Sequence, residues 1–379
     1  METAGGVALL VATAIALIWA NSPWGDHYTS LWSATIPRDL AGPGVHLPNF
    51  IAARPLHFWI DDGLMTLFFL VVGLEIRHEL RHGALSDPRI ARLPILAALA
   101  GVLMPALIYL LMNTDPVSRR GWAVPTATDI AFAVGILSLL GKGVPPALRM
   151  LLLTVAIIDD IVAVFIIAST YSKGIGLPGV ALAGAGALLV WIMQRLRIRA
   201  APAYILPGML VWFGLLRAGI HPALAGVVLG LMAPANAQSN HLQRLLHPWV
   251  AYAIMPLFAL ANAGVSFKAL SLEAGLPRTV GLGIIFALVL GKPLGIVAGA
   301  AAAVRSGMCT LPVEVRWPHM ALLGCLGGIG FTMSIFIANL AFPDPTLLAA
   351  SKCAVLIAST IAATAGLLAG RYISVPIKE

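Results

Sequence analysis

The chain has 379 residues, of which 59% are hydrophobic and 11% are charged, with a net charge of +8 and a mean hydropathy of +0.92. Soluble domains carry about 25% charged residues, so this chain cannot cover a globular surface with polar side chains. The composition excludes a cytosolic enzyme, a nucleic-acid-binding module and a disordered chain, and it leaves a polytopic helical membrane protein. The three cysteines are too few for a disulfide framework or a metal cluster, and no cofactor is expected.

The apolar segments predict about twelve transmembrane helices. A helix needs about 20 apolar residues to cross the hydrocarbon layer, and the segments are continuous rather than alternating, which excludes a barrel. The seventh and eighth segments are short, so a count of eleven is also compatible. In chain order, the predicted spans are 5–20, 57–76, 92–112, 121–140, 149–171, 177–194, 201–216, 219–233, 249–266, 279–303, 319–341 and 346–370.

The loops predict the orientation of the chain. With twelve spans, the loops on the side of the two termini carry more Lys and Arg than the opposite loops, which predicts that both termini are cytoplasmic. We interpret the apolar N-terminal segment as a retained first span, and residues 1–379 as one integral membrane domain. The longest loop, 21–56, contains a Gly-Pro-Gly turn within residues 34–46, and we expect a short outer β-hairpin there that contacts a second subunit.

Four charged residues lie at the centres of predicted spans. Asp159 and Asp160 are adjacent in the fifth span, Asp129 lies in the fourth and Lys292 in the tenth. Each such residue raises the free energy of membrane insertion by about 2.5–3.5 kcal/mol. Helix packing alone does not require charged residues at this depth. Buried ion pairs that only set helix register are one explanation. The number and depth of these charges favour an ion or proton pathway.

The adjacent acids suit exchange of a cation for protons. Sodium is a hard cation that prefers oxygen ligands, and neighbouring helical residues point about 100° apart, so both acids can line one cavity. Removal from water and a second negative charge both favour protonated carboxyl groups. The pair therefore holds either protons or a metal cation, and Lys292 is available as an electrostatic partner.

Two spans show signs of interruption. The fourth has Pro125 followed by Thr126, Thr128 and Asp129, and the eleventh has four glycines between positions 324 and 330. Broken helices at matching places indicate a transporter site, and we expect repeats at about 90–171 and 279–370. Asp129 can offset the positive half-helix ends and Lys292 the negative ones. Close helix packing explains the glycines equally well.

Several motifs resemble those of one transporter family. Residues 127–132, 156–160, 291–295 and 327–336 read Ala-Thr-Asp-Ile-Ala-Phe, Ala-Ile-Ile-Asp-Asp, Gly-Lys-Pro-Leu-Gly and Gly-Gly-Ile-Gly-Phe-Thr-Met-Ser-Ile-Phe. Together with the segments at 72–75 and 247–252, they closely resemble the NhaA-type sodium/proton antiporters over nearly the whole chain. The resemblance implies an all-α inner-membrane protein with twelve helices, inverted-topology repeats (spans 3–5 and 10–12) and two discontinuous crossing helices. It also implies electrogenic exchange of Na⁺ or Li⁺ for H⁺, and a homodimer in the lipid bilayer.

The resemblance also implies roles for particular residues. Asp159 and Asp160 would bind Na⁺ and protons, with Thr128 and Asp129 nearby and Lys292 as the partner of Asp159.

A cytoplasmic cluster would sense pH, and its candidates here are Glu75, Glu79, His78 and His247. His78, Gln243 and Arg244 depart from the well-studied pattern of this cluster, so the pH dependence is expected to differ while the transport site is intact.

Three rival functions are less compatible with these residues. A passive cation channel usually needs a ring of equivalent sites, and a central lysine opposes cation flow. An intramembrane aspartyl protease places its acids on different spans, whereas Asp159 and Asp160 are adjacent. Another sodium-coupled transporter, such as a symporter, would need a roomier site for its solute. We therefore predict a transporter and not an enzyme.

Overall fold

The computed structural model describes residues 2–35, 54–172, 174–198, 200–234, 237–266 and 275–374. Within these ranges the chain is helical, and the only β-type pairing is an isolated antiparallel bridge between Thr35 and Pro55. Most of the predicted outer hairpin lies outside the described residues. The predicted all-α fold class is therefore confirmed for the described part of the chain.

The helices follow one another with short connections. The α-helices of eight or more residues are Glu2–Ala20, Gly25–Ser33, Met65–His82, Pro88–Met112, Ile130–Leu139, Pro146–Thr170, Leu177–Arg195, Ile205–Ala218, Leu224–Met232, Ala237–Trp249, Met255–Asn262, Leu276–Phe286, Lys292–Arg305, Trp317–Gly327, Phe331–Ala341 and Pro345–Ser374. Three π-helical segments, Trp59–Leu64, Val250–Ile254 and Ala287–Gly291, connect consecutive helices, and a 3₁₀ segment covers Ser118–Thr126.

Each of the twelve predicted spans overlaps helical residues of the described chain, although the eighth, 219–233, is helical only over Leu224–Met232. Seven single helices of the described chain are long and apolar enough to cross a membrane, and two bent helix pairs raise this number to nine. The helices Ile205–Ala218 and Leu224–Met232 are too short to pass the same test alone. The chain is thus a multi-pass membrane protein, and the count of twelve stays a prediction.

The long helices present apolar side chains outward, as lipid requires. Along Pro88–Met112, Leu99, Leu103, Leu107 and Leu111 recur every four residues and are exposed, with Leu103 at 68% and Leu111 at 70%. The opposite face of this helix is buried and consists largely of small residues. A soluble protein rarely exposes such a stripe, so this face fits contact with lipid.

The chain divides into two compact units. The first consists of residues 1–9, 75–171 and 269–379, and the second of residues 10–74 and 172–268, as far as these are described. The first unit contains both segments in which we expect the repeats, and it contains Asp129, Asp159, Asp160 and Lys292. The division does not test the prediction of one membrane domain.

Small residues bring the helices of the first unit close together. A Cβ atom added at Gly295 would lie 2.3 Å from the carbonyl oxygen of Ala100, and one at Gly299 would lie 2.6 Å from that of Leu96. In the eleventh span, a Cβ at Gly324 would lie 2.8 Å from Cα of Pro293. Close helix packing therefore accounts for glycines near a helix break. The two explanations of the glycines, helix interruption and close packing, are compatible with each other.

We expect Gly299→Ala to destabilise the protein by about 1–3 kcal/mol, because the methyl group overlaps the backbone of Leu96. The control is Gly184→Ala, in helix Leu177–Arg195, where an added Cβ meets nothing within 4 Å. That change should be neutral or should stabilise by about 0.5–1 kcal/mol through helix propensity. Thermal unfolding in detergent measures both, and equal effects of the two changes would contradict this account of packing.

Candidate cation and proton site

The aspartate helix, Pro146–Thr170, carries the two adjacent acids in an unbroken stretch of 25 residues. Asp159 and Asp160 are each 1% exposed. Within the described residues, Oδ1 of Asp159 and Oδ1 of Asp160 are both buried without a hydrogen-bond partner. Two carboxyl oxygens of the predicted cation site are therefore available for a further ligand.

Asp159 is paired through its other oxygen. Nζ of Lys292 lies 2.7 Å from Oδ2 of Asp159, and neither side chain is exposed. Nζ also donates a hydrogen bond to the carbonyl oxygen of Thr126. A buried ion pair of this kind is maintained only when further hydrogen bonds accompany it, because both charges have lost their water.

The local sequence explains how Lys292 reaches the acid. It follows the π-helical segment Ala287–Gly291 and precedes Pro293, which has no backbone N–H to continue the helical ladder. An added Cβ at Gly327 would lie 2.7 Å from Cδ1 of Ile296, one turn further along the same helix, and at an ordinary contact distance of 3.8 Å from Cγ of Lys292, so the glycine allows this helix to approach closely.

Two broken helices contact each other at their interruptions. The first broken helix is Ser118–Thr126 with Ile130–Leu139, bent by 43°, and the second is Trp317–Gly327 with Phe331–Ala341, bent by 45°. The backbone N–H of Asp129 donates to the carbonyl oxygen of Ile329 at 2.7 Å. The interruption in one helix thus supplies a hydrogen-bond partner for a backbone group that the interruption in the other helix leaves unpaired. Buried backbone groups require such partners in an apolar environment.

Thr128 joins these breaks to the aspartate helix. Its hydroxyl lies 2.7 Å from Oδ2 of Asp159 and 2.9 Å from the carbonyl oxygen of Gly327. A hydroxyl has one proton to donate, so Thr128 can satisfy only one of these acceptors at a time. The hydrogen bonding of Asp159 is therefore coupled to the backbone of the second broken helix.

Asp129 caps two helices at once. Its Oδ1 accepts from the backbone N–H of Phe132 at 3.0 Å, at the start of Ile130–Leu139. Its Oδ2 accepts from the backbone N–H of Thr332 at 3.1 Å and from the Thr332 hydroxyl, at the start of Phe331–Ala341. The positive N-terminal ends of both helices therefore face the carboxyl group of Asp129, which is where the sequence predicts this charge to lie. Both oxygens of Asp129 are used by the protein, unlike those of Asp159 and Asp160.

Two further residues of this region were not predicted as site residues. Thr332 lies in the motif at 327–336, directly after the glycine-rich interruption, and this place is the signal that could have found it. Ser359 accepts a hydrogen bond of 3.1 Å from the backbone N–H of Phe331, whose φ is +20°. A serine within an apolar helix has no recognisable sequence signal, so Ser359 could be found only from the structure.

The pH-sensing candidates lie in different places. In the first unit, Glu75 is half-buried and His78 is exposed, while Oε2 of Glu79 accepts from the backbone N–H of Ala84 at 2.9 Å. In the second unit, His247 is exposed on helix Ala237–Trp249. These positions do not test the predicted role of the cluster.

A separate polar cluster lies in the second unit. Asn262 donates to Oδ1 of Asp61 at 2.8 Å, and Nδ1 of His57 lies 3.2 Å from Oδ2 of Asp61. Nε2 of His221 lies 3.1 Å from Oδ1 of Asp62. Asp61 thus accepts a hydrogen bond from Asn262, and a histidine lies within ion-pair distance of each of the two acids near the start of the second predicted span.

Among the described residues, no group of three or more His, Cys, Asp or Glu side chains is arranged to hold a metal ion. A cation bound by Asp159 and Asp160 would therefore need further oxygen ligands from water, hydroxyl or backbone carbonyl groups.

Comparison with known proteins identifies the family. The profile described as Na⁺/H⁺ antiporter 1 matches residues 1–369. The Na⁺/H⁺ antiporter NhaA of Cupriavidus necator is 49% identical over 98% of this chain and 88% of its own length. The NhaA of an Acidovorax species is 50% identical over 98% and 90%. The chain belongs to the Na⁺/H⁺ antiporter 1 family.

A solved structure supports the same fold for this family member. The sodium proton antiporter MjNhaP1 of Methanocaldococcus jannaschii superposes with a TM-score of 0.52 at 15% identity, covering 97% of this chain and 92% of the archaeal one. At this identity the likeness concerns the fold alone.

We expect Lys292→Met to lower the stability of this antiporter-family protein by about 3–5 kcal/mol, because it leaves the buried carboxylate of Asp159 without its cation. The double variant Lys292→Met with Asp159→Asn should recover part of this loss, since the unpaired charge is gone. Thermal unfolding of the single and double variants in detergent measures the coupling. Strictly additive losses would show that the two side chains do not form a pair.

We expect Asp129→Asn to destabilise by about 2–3 kcal/mol, because an amide offers one acceptor oxygen where the two helix N-termini use two. The control is Asp344→Asn, at an exposed cap that accepts from the backbone N–H groups of Thr346 and Leu347. Its stability should change less. An equal effect of both substitutions, again from thermal unfolding, would contradict a shared cap at Asp129.

Proposed function

We propose that this chain exchanges Na⁺ for H⁺ across the bacterial inner membrane, and that both ions bind at Asp159 and Asp160. The observation that carries the proposal is the buried pair of adjacent carboxyl groups, each with one oxygen that lacks a partner among the described residues. Membership of a family named for Na⁺/H⁺ antiport supports the nature of the two ions.

The chemistry of the pair supports competition between the ions. In the proposed exchange, Asp160 carries the proton when Na⁺ is absent, and Asp159 is paired with Lys292. A hard cation such as Na⁺ or Li⁺ requires ionised carboxyl oxygens, so its entry displaces the proton of Asp160 and weakens the hold of Lys292 on Asp159. If Lys292 also releases its proton, the protons exchanged outnumber the Na⁺ ions and transport is electrogenic.

The broken helices support alternating access. We propose that they are the crossing helices of two inverted repeats, at about 90–171 and 279–370. The charges of Asp129 and Lys292 oppose the poles of the half-helices that they contact, so these short helices keep their ends neutralised in an apolar setting. Thr128, which contacts both Asp159 and the second broken helix, would transmit a change at the cation site to the breaks.

We also propose an orientation, a pH response and a dimeric assembly for the protein. Both termini face the cytoplasm, and the cytoplasmic candidates Glu75, Glu79, His78 and His247 adjust activity to pH. Two subunits associate in the lipid bilayer through the outer loop 21–56. The excess of Lys and Arg in the loops on the side of the termini supports this orientation.

The test is ion exchange in everted vesicles from a bacterial strain that lacks its own sodium/proton antiporters. Addition of Na⁺ or Li⁺ should dissipate a preformed ΔpH, and K⁺ should not. Asp159→Asn and Asp160→Asn should each reduce the response to Na⁺ at least about tenfold, because either change removes a carboxylate that binds the cation. The exposed Asp344→Asn is the matched control and should respond like the wild type.

Two results would refute the proposal. One is a wild-type protein that is inserted normally yet leaves ΔpH unchanged with Na⁺ at every pH from mildly acidic to alkaline. The other is full activity in both Asp→Asn variants. A Na⁺ flux that continues unchanged without any movement of protons would instead identify a channel.

A further inference from the structure

The last two turns of helix Met65–His82 carry an exposed pair of histidines. His78 and His82 are four residues apart, and both are exposed. Their ring centroids are 5.5 Å apart with an interplanar angle of 32°. Side chains at positions i and i+4 lie on the same face of a helix, so the two imidazoles point toward a common volume of solvent.

We propose that His78 and His82 together bind a divalent late transition-metal ion, with water completing the coordination. Neutral imidazole is the most common protein ligand for such ions. Two imidazoles that each bind one tetrahedral ion at about 2.0–2.1 Å have ring centres about 5 Å apart. The observed separation is close to this value, so small side-chain rotations bring both nitrogens to one ion.

The electrostatic setting permits a cation at this place. Along residues 75–82 the two arginines, Arg77 and Arg81, equal in number the two glutamates, Glu75 and Glu79, so this stretch carries no net charge apart from the histidines. The pair also lies at the C-terminal end of its helix, where the unpaired carbonyl groups favour a positive charge. A bound ion would join two successive turns and stabilise the end of the helix.

The site differs from that of a zinc peptidase, although residues 78–82 read His-Glu-Leu-Arg-His. Such an enzyme needs a third protein ligand and a glutamate that acts as general base. Glu79 instead accepts a hydrogen bond of 2.9 Å from the backbone N–H of Ala84, beyond the end of the helix. The part of the chain that is described has no third His, Cys, Asp or Glu placed to complete a metal centre. The arrangement supports binding and not hydrolysis.

The test uses the full-length protein, purified in detergent with a tag that contains no histidine. Titration calorimetry with Ni²⁺ measures affinity, and electron paramagnetic resonance with Cu²⁺ reports the number of coordinated imidazole nitrogens. We expect one site per chain with two imidazole nitrogens. Because chelation makes the second contact intramolecular, His78→Gln and His82→Gln should each weaken binding at least about tenfold.

Two double variants control for the number and the positions of the histidines. His241→Gln with His247→Gln removes two exposed imidazoles from helix Ala237–Trp249 that are six residues apart, which places them on different faces, and it should leave the affinity unchanged. Leu80→His with His82→Leu keeps the composition of helix Met65–His82 but moves the second imidazole to another face. It should lose the tight site while eluting as the same folded species in size-exclusion chromatography.

The proposal is overturned if the His78→Gln and His82→Gln variants bind Ni²⁺ as tightly as the wild type. It is also overturned if the wild-type Cu²⁺ spectrum shows fewer than two imidazole nitrogens, or if the rearranged Leu80→His and His82→Leu variant retains the affinity. None of these results depends on antiport activity, so they leave the proposed exchange of Na⁺ and H⁺ to its own test.

Discussion

The first unit is organised by one constraint: every buried polar group requires a hydrogen-bond or ionic partner. Two helices are interrupted inside an apolar protein, and an interruption leaves backbone groups without their helical partners. The N–H of Asp129 contacts the carbonyl oxygen of Ile329, and the ammonium group of Lys292 contacts the carbonyl oxygen of Thr126. The two breaks are therefore stable because they meet each other and because charged side chains neutralise the half-helix ends.

The same constraint separates the three buried acids by role. Asp129 uses both oxygens as acceptors for two helix N-termini, so it is saturated by the protein. Asp159 and Asp160 each keep one buried oxygen without a partner among the described residues. An unsatisfied buried oxygen is costly and is characteristic of a place where a ligand or proton binds. This difference supports the adjacent pair as the ion site and Asp129 as its electrostatic support.

Much of this was predictable because the signals are local in the chain. A mid-span charge is recognised from about twenty neighbouring residues, so Asp129, Asp159, Asp160 and Lys292 could be selected without any contact information. Helix breaks are predictable for the same reason, since proline, threonine and glycine act on their own turn of helix. The number of spans was less accessible, because short helices such as Leu224–Met232 fall below the length that identifies a span. The outer hairpin stays a prediction, because residues 36–53 lie outside the described part of the chain.

The sequence by itself determined the class of protein, the charges that it buries and the family that it resembles. The resemblance implied Lys292 as the partner of Asp159, but local sequence patterns do not decide how these groups pair, and their contacts follow only from the tertiary structure. Asp159 and Asp160 differ by about 100° around one helix, so which of them contacts a lysine more than a hundred residues away depends on how the helices pack. The shared cap at Asp129 and the contact of Ser359 with Phe331 likewise join distant segments. Such contacts follow from the close approach of helices, which no local pattern encodes.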